Sequence, residues 1–271
     1  MRIWIAGPIA WDSVLYVNHL PEVGGFTHAK KHQERPGGQA LNVAIALKES
    51  GFETGLVGYV GNDQFGNVLI NFAKSKLDVV EIKTINHPTP HVTVIVDANG
   101  DRTMVGMEQS FFSEISLQLD AIKPEDIVVW PIWRESFAKD LAAVNAKGCR
   151  TIVGLGALRG ALKGPISADI ALGSRWELPP DFEAAKYLKT FSRIIVTDNQ
   201  NGAIEYSQDA ILEAPAIKAD AVDTTGAGDA FLCGVIKGFA EQLPNEETLK
   251  IASQWAALAI AEESSIPPKF I

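Results

Sequence analysis

The chain has 271 residues, 46% of them hydrophobic, which is enough for one large α/β domain or two small ones. Its 24 basic and 33 acidic residues leave a net charge of −9, which argues against nucleic acid or an anionic membrane as a partner held by bulk attraction. The two cysteines, Cys149 and Cys233, stand in apolar sequence without metal-ligand or redox spacing and read as reduced core residues. The apolar run near Ile3 is too short for a signal peptide and no stretch is long enough to span a bilayer, so a cytoplasmic location is expected.

Ile3 to Ala6 predicts a first strand, and Asp12 follows just beyond it. Residues 12 to 35 carry polar and turn residues. Pro36 then precedes Gly37-Gly38-Gln39-Ala40-Leu41-Asn42-Val43-Ala44, which opens a helix with apolar residues at Leu41, Ala44, Ile45 and Leu47. Thr54 to Val60 reads as a strand and leads into Gly61-Asn62-Asp63-Gln64-Phe65-Gly66. Further strand-like runs fall at Val79 to Ile82, Ile127 to Trp130, Thr151 to Leu155, Ile170 to Leu172 and Ile194 to Thr197, separated by segments of helical period. That alternation implies a mostly parallel sheet covered on both faces. Val92 to Asp97 and Arg102 to Val105 break the rhythm by flanking Asn99-Gly100, a hairpin signal. No internal repeat or low-complexity linker is present.

The most informative stretch is Asp223-Thr224-Thr225-Gly226-Ala227-Gly228-Asp229-Ala230-Phe231. Ala230, Phe231, Leu232, Val235, Ile236 and Phe239 recur at helical spacing, so a helix begins near Ala227. Its first N–H groups have no partner inside the helix and, with the dipole, favour an anion. Gly226 and Gly228 let the backbone approach a phosphate closely. A carboxylate would repel that anion, so Asp229 is better explained as a base that takes a proton from an attacking hydroxyl.

These three segments, in this order and at this wide separation, resemble the ribokinase-like (PfkB-type) family of carbohydrate and nucleoside kinases: the paired glycine and asparagine, the Gly-x-Asp-x-x-Gly, and the Asp-Thr-x-Gly-Ala-Gly-Asp-x-Phe. The resemblance runs from about residue 3 to residue 262. It implies a single domain over residues 1–271, a three-layer α/β/α sandwich with a mostly parallel central sheet, and a small β lid drawn from about 12–35 and 86–106. It also implies an ATP-dependent kinase for a primary hydroxyl of a small sugar or sugar-like alcohol, with a nucleoside as the alternative acceptor. Asp229 matches the family's base and Gly226, Ala227 and Gly228 its anion hole. Asp12, Gly37, Gly38 and Asn42 match its acceptor contacts. Glu177 fits the acid that organises Mg²⁺, with Ser174 standing where the family has Asn. Thr197, Asn199, Gly202 and Thr225 fall with the nucleotide contacts, Asn199 replacing a usual glycine at a turn that Asn tolerates. The stretch from Glu177 to Thr197 is short for the family, and Glu262-Glu263-Ser264-Ser265 lacks the basic residue and glycine common after the last helix, which weakens a monovalent-cation site. A homodimer through the lid is compatible with the resemblance.

Trp130 and Trp133, at the end of a strand, could form a flat wall for a sugar face or nucleobase, or pack in the core; Trp11 adjoins Asp12. Gly154-Leu155-Gly156-Ala157-Leu158-Arg159-Gly160 imitates a dinucleotide-binding turn, but Gly160, Gly164 and Pro165 leave too little sequence for the crossover helix. The pairs His28/His32 and His87/His91 have metal-like spacing, yet Pro88 and Pro90 forbid a helix in the second and the first has no further ligand nearby. A non-catalytic binding protein is the reading from another class, motivated by Ser174 and Asn199 and opposed by Asp229.

Overall fold

A computed structural model describes residues 1–107, 115–162, 164 and 166–270. The strands are β1 (Ile3–Ala6), β2 (Ala10–Tyr16), β3 (Lys31–Gly37), β4 (Thr54–Gly61), β5 (Val79–Ile85), β6 (His91–Val96), β7 (Arg102–Gly106), β8 (Ile127–Trp130), β9 (Arg150–Gly154), β10 (Ala168–Ser174), β11 (Phe191–Thr197), β12 (Ala203–Ser207) and β13 (Ile211–Ala214). The helices are α1 (Gln39–Glu49), α2 (Gln64–Lys76), α3 (Ala138–Ala146), α4 (Leu158–Ala161), α5 (Ala184–Tyr187), α6 (Ala227–Glu241) and α7 (Asn245–Ala259).

Nine strands form one sheet in the order β13-β12-β11-β10-β9-β8-β1-β4-β5. The seven from β11 to β5 run parallel, and each contains one of the apolar runs read from the sequence. β12 and β13 extend the edge as an antiparallel hairpin that the sequence pattern did not announce. β1, β4 and β8 are buried along their whole length, which is why they read as continuous apolar runs rather than alternating ones. On one face the sheet packs α1, α2, α6 and α7 around Leu41, Ile45, Leu69, Phe231, Val235 and Trp255. On the other it packs α3, α4 and α5 around Phe137, Leu141, Leu158 and Tyr187. The result is the three-layer α/β/α sandwich. α1 is buried from Ala40 to Leu47 because it lies beneath α2 and α6, hence its all-round apolar sequence. Among the described residues no helix is long and apolar enough to cross a membrane.

A second sheet has the order β3-β2-β6-β7. β2 and β6 run parallel, while β3 and β7 flank them antiparallel, and Asn99-Gly100 turns the β6–β7 hairpin. Val14, Val94 and Val96 share one face of this sheet and are buried. The Gly-x-Asp-x-x-Gly segment ties the two sheets together. Asp63 caps α2 through Gly66 N at 2.8 Å and also receives the Thr89 N–H at 2.7 Å, pinning the crossover from β5 to β6. Burial works against that carboxylate's charge, yet the Thr89 and Gly66 hydrogen bonds hold its pKa below the ordinary value.

The tryptophan wall is corrected. Successive side chains on β8 alternate between faces: Ile127 and Val129 join the α1/α6 layer, so Trp130 points into the α3 layer. Trp130 is 0% and Trp133 5% exposed, and both pack on Phe137, with the Trp130 and Phe137 rings stacked at 6.4 Å. They are core residues, not pocket walls. Trp130→Ala is expected to destabilise the protein by about 3–5 kcal/mol in urea unfolding, with ligand affinity of the folded fraction unchanged; weakened ligand binding at native stability would return Trp130 to the pocket.

Candidate active site

The site is built around the N-terminus of α6. Gly226 caps the helix with φ 86°, a left-handed conformation, and a Cβ there would lie 2.6 Å from the Ser265 carbonyl oxygen, so glycine is required twice over. The Ala227 N–H reaches Thr224 O at 3.3 Å and the Ala230 N–H reaches Gly226 O at 2.8 Å. Gly228 and Asp229 lie in the first turn, where N–H groups have no helical carbonyl to bond. The preceding loop is shaped by Asp223, fully buried, whose Oδ1 accepts the Thr225 N–H at 2.8 Å. The Thr225 hydroxyl is buried without a hydrogen-bond partner.

Asp229 is 6% exposed, and its Oδ2 accepts a hydrogen bond from Asn42 Nδ2 at 2.8 Å. Burial pushes its pKa from 3.8 up to about 7; the Asn42 hydrogen bond and the Arg102 charge pull the other way, and Asp12 adds to the rise. Asn42 is placed by α1, whose N-cap is Gly38 at φ 94°. The Asn42 Oδ1 atom is buried and unpaired, so it needs a donor such as a hydroxyl.

Asp12 reaches the same region from β2. It is buried, and Gly37 on the neighbouring strand leaves the space its carboxylate occupies, since a Cβ at 37 would collide with it. Burial raises the Asp12 pKa to about 6, Arg35 opposing the shift most strongly and Asp223 reinforcing it. Trp11, one residue earlier, faces the opposite side and packs on Phe65 at 5.3 Å.

Two further basic residues stand here that the sequence motifs did not single out. Arg102, at the start of β7, donates to Thr224 O, and its charge acts on Asp229 and Asp223. Arg35, opposite Asp12 in the β2–β3 register, pairs with Asp223 at 3.2 Å. No local signal could have found them, because their partners lie 122 and 188 residues away.

Ser174, Glu177, Thr197, Asn199 and Gly202 form a second group at the ends of β10 and β11, where Ser174 and Thr197 are partners in register. Ser174 and Glu177 make a reciprocal cap, Glu177 Oε1 accepting the Ser174 N–H at 2.8 Å. Burial raises the Glu177 pKa, with the Ser174 N–H, Arg159 and Arg134 opposing. Thr197 Oγ1 donates to Gly173 O at 3.2 Å. Asn199 adopts φ 46°, taking the left-handed position, and Gly202 closes the turn at φ 88°. Among the described residues no three histidine, cysteine or carboxylate side chains gather as a metal cluster. After β9 only the four-residue α4 follows, too short a helix to receive a dinucleotide's pyrophosphate.

The description "pfkB family carbohydrate kinase" fits residues 8–131 and 179–269. The chain belongs to that family and is a carbohydrate kinase. It is 27% identical to a ribokinase of Lactococcus lactis, over 96% of this chain and 90% of the relative. Among solved structures it superposes on the nucleoside kinase of Burkholderia thailandensis in complex with inosine, with a TM-score of 0.81 and 18% identity over 98% of this chain and 94% of that one. It also superposes on the Arabidopsis thaliana ribokinase complexed with ribose and ATP, with a TM-score of 0.73 and 22% identity over 99% and 96%.

The raised pKa of Asp229 has a signed effect on stability. The folded state holds this proton between roughly pH 4 and 7 while the unfolded chain releases it, so stability falls as pH rises through that window. Asp229→Asn keeps an acceptor for Asn42 without a charge to bury. Its melting temperature is expected to exceed the parent's at pH 8 and to converge with it at pH 4; a variant less stable at pH 8 would mean that Asp229 is stabilised in its charged form.

Proposed function

We propose that the chain transfers the γ-phosphoryl group of ATP to a primary hydroxyl of a small sugar or sugar-like alcohol. The observation that carries this reading is the Asp229 carboxylate, buried in the first turn of α6 beside the helix's N-terminal amides and hydrogen-bonded by Asn42, where burial pushes its pKa up. The acceptor hydroxyl is held by Asp12 and Asn42. Asp229 takes its proton as the oxygen attacks, Asn42 keeps the carboxylate oriented, and the backbone at Gly226–Gly228 stabilises charge on the transferred group. A bond forms between the acceptor oxygen and the γ-phosphorus, the bond to the β–γ bridging oxygen breaks, ADP leaves, and the proton ends on Asp229.

Ser174, Thr197, Asn199, Gly202 and Thr225 serve the nucleotide in this reading. Glu177 suits Mg²⁺, which asks for one or two carboxylates and keeps several waters, and the Ser174 N–H bond to Oε1 holds this carboxylate in place. Magnesium, when bound with the nucleotide, neutralises polyphosphate charge. The second sheet acts as a lid that excludes water from the acceptor. The ribose, inosine and ATP of the related structures support this donor and this range of acceptors. The tryptophan wall, which suited either a sugar face or a nucleobase, is core and does not choose between the acceptors.

The test is ADP release from ATP over a panel of ribose, fructose, other small sugars and inosine. Asp229→Asn should bind ATP and the acceptor as the parent does by calorimetry while turnover falls by about two to four orders of magnitude. Near-native turnover in that variant would remove Asp229 as the base.

A further inference from the structure

Asp12 and the loop that enters α6 are far apart in sequence, and one side chain spans the space between them. Arg35 lies on β3 directly opposite Asp12 on β2. Its side chain is 14% exposed; Nη2 donates to Asp223 Oδ2 at 3.2 Å and Nη1 to the Glu263 carbonyl at 3.4 Å. The other oxygen of Asp223 accepts the Thr225 N–H, one residue before Gly226. The Tyr16 hydroxyl, on the same face of β2 as Asp12, reaches Asp223 Oδ2 at 3.5 Å. From β7 and its hairpin, Arg102 and the Gly100 carbonyl hold Thr224, the latter through Thr224 Oγ1 at 3.1 Å. The loop before α6 therefore takes much of its shape from the second sheet.

We infer that Arg35 is a positioning residue that couples the acceptor site at Asp12 to the anion hole at Gly226–Gly228, acting through the buried Asp223 carboxylate. A fully buried carboxylate without a paired charge is costly, so Asp223 keeps its place while Arg35 keeps its own. An acceptor bound to Asp12 steadies β2 and β3, and with them the guanidinium. When these strands move away, Asp223 loses its paired cation and keeps only the more distant charge of Arg102, and the Thr225 amide loses a firmly held anchor. The shape of the hole then depends on the strands that carry the acceptor site, which limits phosphoryl transfer to water whenever those strands are displaced. The coupling's role in turnover rests on the phosphotransfer reading; its effect on the loop does not.

The experiment compares Arg35→Gln with the parent chain, first without any ligand. Amide hydrogen exchange of residues 223–229 should quicken by about tenfold, the scale of ordinary coupling between sites, while β4 exchanges as before. Unchanged exchange in 223–229 overturns the inference. With ATP and whichever of ribose, fructose or inosine the parent phosphorylates, kcat should fall by about tenfold or more at an unchanged KM for ATP, and Arg35→Lys should recover part of the loss. Asp223→Asn combined with Arg35→Gln should be no worse than the more damaging single change; fully additive losses would show that Arg35 does not act through Asp223. If Arg35→Gln does not fold, Arg35→Lys, which keeps a charge but not the fork, carries the same exchange comparison. A parent chain that phosphorylates none of the panel would end the kinase assignment of substrates, while the exchange result would still decide the coupling.

Discussion

The structure turns on the burial of one carboxylate. Asp229 is enclosed where the first turn of α6 meets α1, and the solvent lost there is replaced by one amide hydrogen bond from Asn42 and the more distant charge of Arg102. That replacement is incomplete, so the proton is held far more tightly than by an ordinary aspartate. A helix N-terminus would favour the ionised form, yet desolvation wins. The balance leaves a group able both to take and to release a proton near neutrality, which is the condition for general base catalysis at physiological pH.

The surrounding residues can be understood as what is needed to keep that carboxylate buried. Gly37 and Gly38 let Asp12 and the start of α1 occupy the same small volume, and Gly226 lets the loop turn against Ser265. Asp223, though it never approaches Asp229 as a partner, sets the path of the chain entering α6. At the ends of β10 and β11, Ser174 and Glu177 satisfy each other in a reciprocal cap.

What could be seen in the sequence is what depends on neighbours along the chain. β1, β4 and β8 showed as continuous apolar runs because both faces of each are covered, and the start of α6 showed as a glycine turn followed by helical periodicity. The left-handed turn at Asn199 was implied by the resemblance, which places a glycine there, and it is kept because Asn tolerates positive φ. The side to which Trp130 points was not legible, because that depends on the strand's place in the sheet and its register. β12 and the edge strand β13 are short and of mixed burial, so their pattern is faint. Arg35 and Arg102 carry no motif at all. Their significance appears only when the second sheet is laid against the loop from Asp223 to Gly226, which no one-dimensional pattern records.

The central claim is that a buried Asp229, ionising near pH 7, accepts the acceptor's proton. The pH dependence of kcat/KM for the acceptor, measured at saturating ATP between pH 5 and 9, addresses it most directly. Ionisation of Asp229 near pH 7 should lower kcat/KM by about tenfold for each pH unit below it, the fall steepening below about pH 6 if protonation of Asp12 also weakens the acceptor, and leave a plateau above. A profile that stays flat from pH 5 to 8 would contradict the account, because a base with that pKa is protonated through most of the range.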